Sequence, residues 1–315
     1  MVKREEFTFD SRDGKTKIHA VRWIPEGKII CILQIVHGMA EHILRYDEMA
    51  QYFAEKGILV TGEDHLGHGK SVSEGGLYGY FCEQDSATVA VRDVHRLKKM
   101  TQEDFPGIPY VILGHSMGSF MLRNYMCRYG TGIQGAVICG TGYMPAITNL
   151  FARTLAGTQK LFVGEKHVSV FLDKVSFGSY NKKIAHPKTK YDWLAANETA
   201  VEKYIQDDLC GFTFTVNGFS TLFELLRRAH KPENLAKMPK ELPVLFVSGE
   251  EDPVGCYGNG VRTLYRKFKD ELNMKNVTMK LYPGDRHEVL NESDRQQVYE
   301  DIYPWIVERI KEYQI

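Results

Sequence analysis

Short apolar runs rich in β-branched residues, each followed by a segment with helical spacing, recur along most of this chain. Lys28-Ile-Ile-Cys-Ile-Leu-Gln-Ile-Val-His37 is the first such run, and it is too short to cross a membrane. Continuous apolarity of this length suits a central strand covered on both faces. Between Ile43 and Lys56, Tyr46, Met49, Ala50 and Phe53 fall three and four residues apart, and Gly57 stops the pattern. Strand patterns return at Ile58–Glu63, Tyr110–Leu113, Gly135–Cys139, Val244–Gly249 and Val277–Tyr282. Helical patterns fill Val89–Met100, Ser116–Arg128, Val261–Leu272 and the segment from about Ser293, where Pro304 should kink the helix or divide it. A hairpin of Glu5–Asp10 and Thr16–Trp23, turning at Ser11-Arg12-Asp13-Gly14, precedes them. Alternation of this kind predicts an α/β fold with right-handed crossovers, a mostly parallel sheet and helices on both faces.

The alternation lapses between about Gly142 and His230, where helical patches occur without a convincing buried strand. We read residues 1–141 and 231–315 as the core, and 142–230 as an inserted, mainly helical cap over the C-terminal edge of the sheet. Open α/β sheets place their sites at that edge. A chain of 315 residues buries about three quarters of its unfolded surface, so it needs no disulfide staples. Its six scattered cysteines form no CxxC pair, which predicts free thiols and a cytoplasmic location and speaks against zinc. Forty basic residues balance forty acidic ones, which argues against a nucleic-acid partner. The N-terminus lacks a signal-peptide pattern.

The strongest local signal is Gly114-His-Ser116-Met-Gly118, placed between an apolar strand and a helical pattern. That context marks a nucleophile elbow, in which the chain turns so sharply that side chains at 114 and 118 would strike backbone. A serine hydroxyl needs a base. His287 follows the last strand, and Asp252 follows the one before it. Glu250, Glu251 and Asp285 compete for the acid role; Asp252 is favoured by its place at a strand end before Pro253, and Asp285 lies too close in chain to His287. The chain order serine, acid, histidine is that of α/β-hydrolases. The loop His37-Gly-Met-Ala-Glu41 sits where the second oxyanion amide arises, so the backbone N–H groups of Met39 and Met117 are expected to form the oxyanion hole.

His37-Gly-Met-Ala-Glu-His42 with Arg45-Tyr46, Asp64-His-Leu-Gly-His68-Gly-Lys-Ser71 and Gly114-His-Ser-Met-Gly118 together resemble the monoacylglycerol lipase and lysophospholipase group, in the serine-aminopeptidase-like branch of the α/β-hydrolases. Tyr191-Asp-Trp-Leu194 is similar to a cap-region pattern of that group, and the likeness runs from about residue 5 to 310. It departs from common members at Ser119 and at Leu209. The resemblance implies a serine hydrolase that cleaves carboxylic esters of a small-molecule or lipid substrate, monoacylglycerols or lysophospholipids being favoured, through an acyl-enzyme and with no metal or organic cofactor. It also implies that Glu41 and Arg45 order the polar end of the pocket. Asp64, His65 and His68 are expected to be structural, and the Gly-Lys-Ser at 69–71 lacks the earlier glycine of a phosphate loop. From Pro145-Ala-Ile-Thr-Asn-Leu-Phe onward, the apolar stripe of Ile147, Leu150, Phe151 and Leu155 is expected to pack on the main domain, and as a lid to line an acyl tunnel with its inner face and touch a micelle or membrane with its outer one; both can hold. Ile147 and Phe151 are thereby expected to bind substrate. A short-chain or aromatic-acid esterase and a peptidase of the same fold would share the triad; a non-catalytic small-molecule receptor would not be expected to retain all three residues.

Overall fold

In the computed structural model, which describes residues 2–313, eight strands form one sheet in the order β1-β2-β4-β3-β5-β6-β7-β8. Strands β1 (Lys3–Asp10) and β2 (Lys17–Ile24) form the expected hairpin, and β2 joins β4 (Ile58–Glu63) antiparallel. β3 (Cys31–Val36), β5 (Tyr110–His115), β6 (Gly135–Cys139), β7 (Val244–Gly249) and β8 (Val277–Tyr282) continue the sheet in parallel with β4. This is the mostly parallel α/β sheet expected from the alternation.

The central strands are apolar throughout because both faces are covered. On β3, Ile32 and Val36 join one core while Leu33 and Ile35 join the other. Helices α1 (Asp47–Glu55) and α10 (Arg295–Ile310) close the second face with Ala50, Phe53, Ile302 and Ile306. Helices α2 (Ser86–Asp104) and α3 (Met117–Tyr129) close the first with Ala90, Val94, Leu97, Phe120 and Leu122. Each fully buried aliphatic side chain contributes roughly 1.5–3 kcal/mol of transfer free energy. Gln34, the polar exception on β3, is satisfied by Tyr110 Oη (2.7 Å) and Val94 O (3.0 Å).

Between β6 and β7 come α4 (Ala146–Val163), α5 (Val170–Phe177), α6 (Glu198–Gln206), α7 (Val216–His230) and the short α8 (Pro232–Leu235). After β7, α9 (Asn259–Arg266) runs into a wider turn at Lys267–Glu271. Thr215 caps α7 by accepting from Gly218 N, and Ser169 caps α5 by accepting from Leu172 N.

Two local expectations come out differently. Pro304 does not divide α10, which runs unbroken through it. Pro304 and Glu300, whose carbonyl loses its donor, both face solvent, while Ile302, Ile306 and Ile310 stay buried on the sheet side. Helix α4 packs through only part of its apolar stripe: Leu155 meets the core, with Ala152 beside it. It packs on α7 through small and polar residues: Asn149 and Ala156 are buried, and Asn149 Nδ2 donates to Phe223 O at 2.9 Å. Ile147, Leu150 and Phe151 are exposed by 78%, 58% and 61%. Among the described residues, no helix is long and apolar enough to cross a membrane.

Candidate active site

Parallel strands deliver their C-terminal ends to one edge, and three loops leave it there. Ser116 ends the β5 register, in which Val36 pairs with Gly114 and His115 with Cys139. It adopts φ 53° and ψ −120°, a conformation that non-glycine residues avoid. The turn is so tight that a Cβ at position 118 would lie 1.9 Å from Val36 O, and one at 114 would lie 2.4 Å from Gly118 O. The glycines at both positions are therefore steric necessities. Ser119 Oγ donates to Ser116 O (2.5 Å) and lies 2.8 Å from Thr141 Oγ1, whose hydroxyl can donate to it, bracing the elbow.

His287 Nδ1 lies 3.0 Å from Asp252 Oδ2, and its Nε2 lies 2.8 Å from Ser116 Oγ. A carboxylate only accepts, so Nδ1–H donates to Asp252 and Nε2 is left to accept from the serine. Asp252 is fully buried and is aimed by Val254 N, which donates to Oδ1 at 2.8 Å. The structure thus brings together the three residues singled out in the sequence. Asp285 points elsewhere: burial, with Glu292 and Asp294 nearby, pushes its carboxyl up to about 7.

The loop after β3 approaches Ser116 closely; a Cβ on Gly38 would stand 3.0 Å from Ser116 Cβ. Gly38 N donates to Glu41 Oε1 (2.6 Å), and Met39 lines the cavity beside the serine. Met117 opens α3, so its N–H has no carbonyl one turn earlier to meet. Glu41 also accepts from Tyr46 Oη (2.9 Å) and Arg45 Nη1 (2.8 Å), and it lies 3.3 Å from His115 Nδ1. Burial alone would raise the Glu41 carboxyl; the His115 hydrogen bond and the Arg45 charge override it and hold it well below the usual range. Arg45 grips Glu288 with two bonds of 2.7 Å, and its guanidinium lies 4.8 Å from the centre of the Tyr204 ring. Glu41 borders the cavity, whereas Arg45 does not.

The cavity at Ser116 has a volume of about 570 Å³, within the range of small-molecule sites. Met144, Phe151, Phe177, Leu222, Phe223 and Leu226 form much of its wall. Of the stripe residues, Phe151 borders the cavity and Ile147 does not. The Trp193 ring stands 5.2 Å from that of His287, and Glu288 N donates to Leu194 O at 2.7 Å. Glu288 carries no sequence signal for this place, Trp193 appears in the sequence only within a cap pattern, and Ser119 only as a departure from the resembled group. A second cavity of about 600 Å³, lined by Arg12, Lys15, Tyr80 and Arg92 among others, contains no histidine and no serine–base pair.

Asp64 is a brace, as expected. Its carboxylate receives Ile43 N (2.8 Å) and Lys70 N (2.9 Å) and lies 2.8 Å from His19 Nδ1. The His65 and His68 rings pack against His37, with centroids 3.9 and 5.3 Å from it.

An eight-stranded, mostly parallel sheet carrying a serine on a strained turn after β5, with an acid after β7 and a histidine after β8, defines an α/β-hydrolase. Residues 27–294 match the family described as serine aminopeptidase, S33, and the chain belongs to that family. It is 28% identical over 310 residues to a monoacylglycerol lipase of Mycolicibacterium smegmatis, covering 98% of both chains. It is 27% identical over 292 residues to a human monoglyceride lipase, covering 91% of this chain and 86% of the relative. Among solved structures, a thermostable carboxyl esterase from Bacillus coagulans, in complex with glycerol, superposes with a TM-score of 0.90 at 30% identity, covering 98% of this chain and all of that one.

Proposed function

We propose that this protein hydrolyses carboxylic esters through an acyl-enzyme on Ser116, with monoacylglycerols as the favoured substrates. The observation that carries the reading is the hydrogen-bond chain Ser116–His287–Asp252 opening into an apolar cavity. His287 Nε2 takes the Ser116 proton as Oγ attacks the ester carbonyl, and Asp252 stabilises the imidazolium. The Met39 and Met117 amides receive the oxyanion, a contribution of about 3–4 kcal/mol for one such donor. His287 then gives its proton to the leaving alkoxide. Water, activated by the same base, attacks the acyl-enzyme and releases the acid. Relatives named as monoacylglycerol or monoglyceride lipases support the substrate class. An aminopeptidase would need a free carboxylate for the substrate amine, and two of the three carboxylates bordering the cavity, Glu41 and Glu288, are already paired with Arg45.

Residues 142–230 act as the cap in this reading, placing Phe151, Phe177 and Trp193 over the acyl chain. The exposed residues of α4 and α5, including Leu161 (86%) and Phe162 (83%), rest transiently on a membrane or micelle from which substrate enters. Six free thiols support a reducing, cytoplasmic setting. The test is fluorophosphonate labelling of Ser116, with turnover of monoglycerides, short acyl esters and aminoacyl amides compared in wild type and Ser116→Ala. The expected result is loss of labelling and a fall of several powers of ten in ester turnover; undiminished turnover in Ser116→Ala defeats the mechanism.

A further inference from the structure

We propose that His42, Asp207 and Cys210 form a binding site for a thiophilic divalent cation of the zinc class, bridging the loop after β3 to the segment between α6 and α7. His42 Nε2, Asp207 Oδ2 and Cys210 Sγ all lie within 4.8 Å of one another. A nitrogen, a carboxylate oxygen and a sulfur are the donors that zinc and cadmium take, whereas calcium and magnesium demand oxygen sets. Three protein ligands leave a fourth tetrahedral position for water.

The donors are held from behind. Leu209 N donates to Asp207 Oδ1 (2.9 Å), which aims Oδ2 at His42, 2.8 Å away. Cys210 N donates to Asp207 O (2.9 Å), closing the turn that carries the thiol. Gly211 N and Tyr204 Oη both donate to Ala40 O at 3.0 Å, so the two segments are already fastened beside the site. His42 and Cys210 come from chain regions that also supply Met39, Glu41, Gly211 and Phe212 to the cavity wall. A bound ion would tie those walls together.

Only the thiolate form of a cysteine ligates a metal, so the Cys210 thiol must give up its proton when a dication binds. Binding therefore converts the thiol to a metal thiolate and releases one proton. His42 would ligate through the Nε2 lone pair, with its N–H on Nδ1.

Cobalt(II) is the probe, because its thiolate charge-transfer band reports the sulfur ligand without any assay of turnover. The titration is run in a Cys256→Ser background, which removes the exposed thiol. The expected result is one ion per chain with a thiolate band, one proton released per ion, and displacement by zinc or cadmium. Cys210→Ser and His42→Gln should each abolish the band or weaken binding by more than about tenfold. Thermal melting without metal verifies that each variant is folded, and zinc should raise the melting temperature of the parent protein only. Absence of the band, or a band that survives either substitution at unchanged affinity, overturns the site. Because the readout is spectroscopic, it stands apart from the hydrolase reading.

Discussion

Arg45 and Glu288 meet through two parallel hydrogen bonds of 2.7 Å, and Glu288 is the next residue in the chain after His287. Arg45 also bonds Glu41, which holds Gly38 N. One guanidinium therefore ties the loop beside Ser116 to the loop that carries the base. Both carboxylates are buried, and removing one member of a buried pair typically costs about 3–5 kcal/mol.

Glu288→Gln should consequently lower the melting temperature and reduce kcat while moving KM little, since Glu288 acts through His287. Burial would raise the Glu288 carboxyl, but Arg45 overrides it and holds it below the ordinary range. A lowered carboxyl stabilises the fold above its unfolded pKa, and that contribution disappears as pH falls through the folded value. Wild type should lose stability in acid more steeply than Glu288→Gln. Parallel acid titrations of melting temperature check this, and identical slopes would remove the pair from the acid response.

Glu63 predicts the opposite sign. It is fully buried at the end of β4, Gln34 Nε2 donates to its Oε2 at 3.2 Å, and Oε1 has no hydrogen-bond partner among the described residues. Burial, reinforced by the charge of Asp93, pushes it from 4.5 up to about 8. Between those values the folded protein holds a proton that the unfolded chain has released, so stability falls by about 1.4 kcal/mol per pH unit from this group. Glu63→Gln mimics the protonated acid and should be increasingly favoured over wild type from pH 5 to pH 8. Melting curves across that range measure it; a stability difference independent of pH would show that Glu63 is charged in the fold.

The central parallel strands were legible because full burial leaves an unbroken apolar run, and the triad because each member lies on the loop just after a strand. Ser116 and Asp252 are 252 − 116 = 136 residues apart, yet sheet order alone brings their loops to one edge. The Arg45–Glu288 pair had no comparable signal, since a surface ion pair and a buried clamp have the same letters. How much of the α4 stripe would be covered had no signal for a similar reason. An apolar stripe specifies amphipathicity, while the side that meets the protein was set here by Asn149, a polar residue whose partner is a backbone carbonyl 74 residues away. His42, Asp207 and Cys210 were likewise invisible as a group, because 207 − 42 = 165 residues separate the first two.

The outward face of α4 offers a further test. Leu161 and Phe162 are 86% and 83% exposed, neither borders the cavity, and Val170 and Phe171 of α5 add further exposed apolar surface. Burying a leucine or phenylalanine side chain in lipid is worth roughly 1.5–3 kcal/mol each. The double variant Leu161→Ser/Phe162→Ser should therefore bind vesicles at least about tenfold more weakly, since 1.4 kcal/mol is tenfold in an equilibrium. Turnover of a micellar long-chain monoglyceride should fall with it, whereas turnover of a water-soluble short-chain ester should hold, because the Ser116–His287–Asp252 chain is untouched. Vesicle co-sedimentation and the ratio of the two rates measure both effects. Equal losses on the two substrates would mean that this face supports the fold of the insertion and not its contact with lipid.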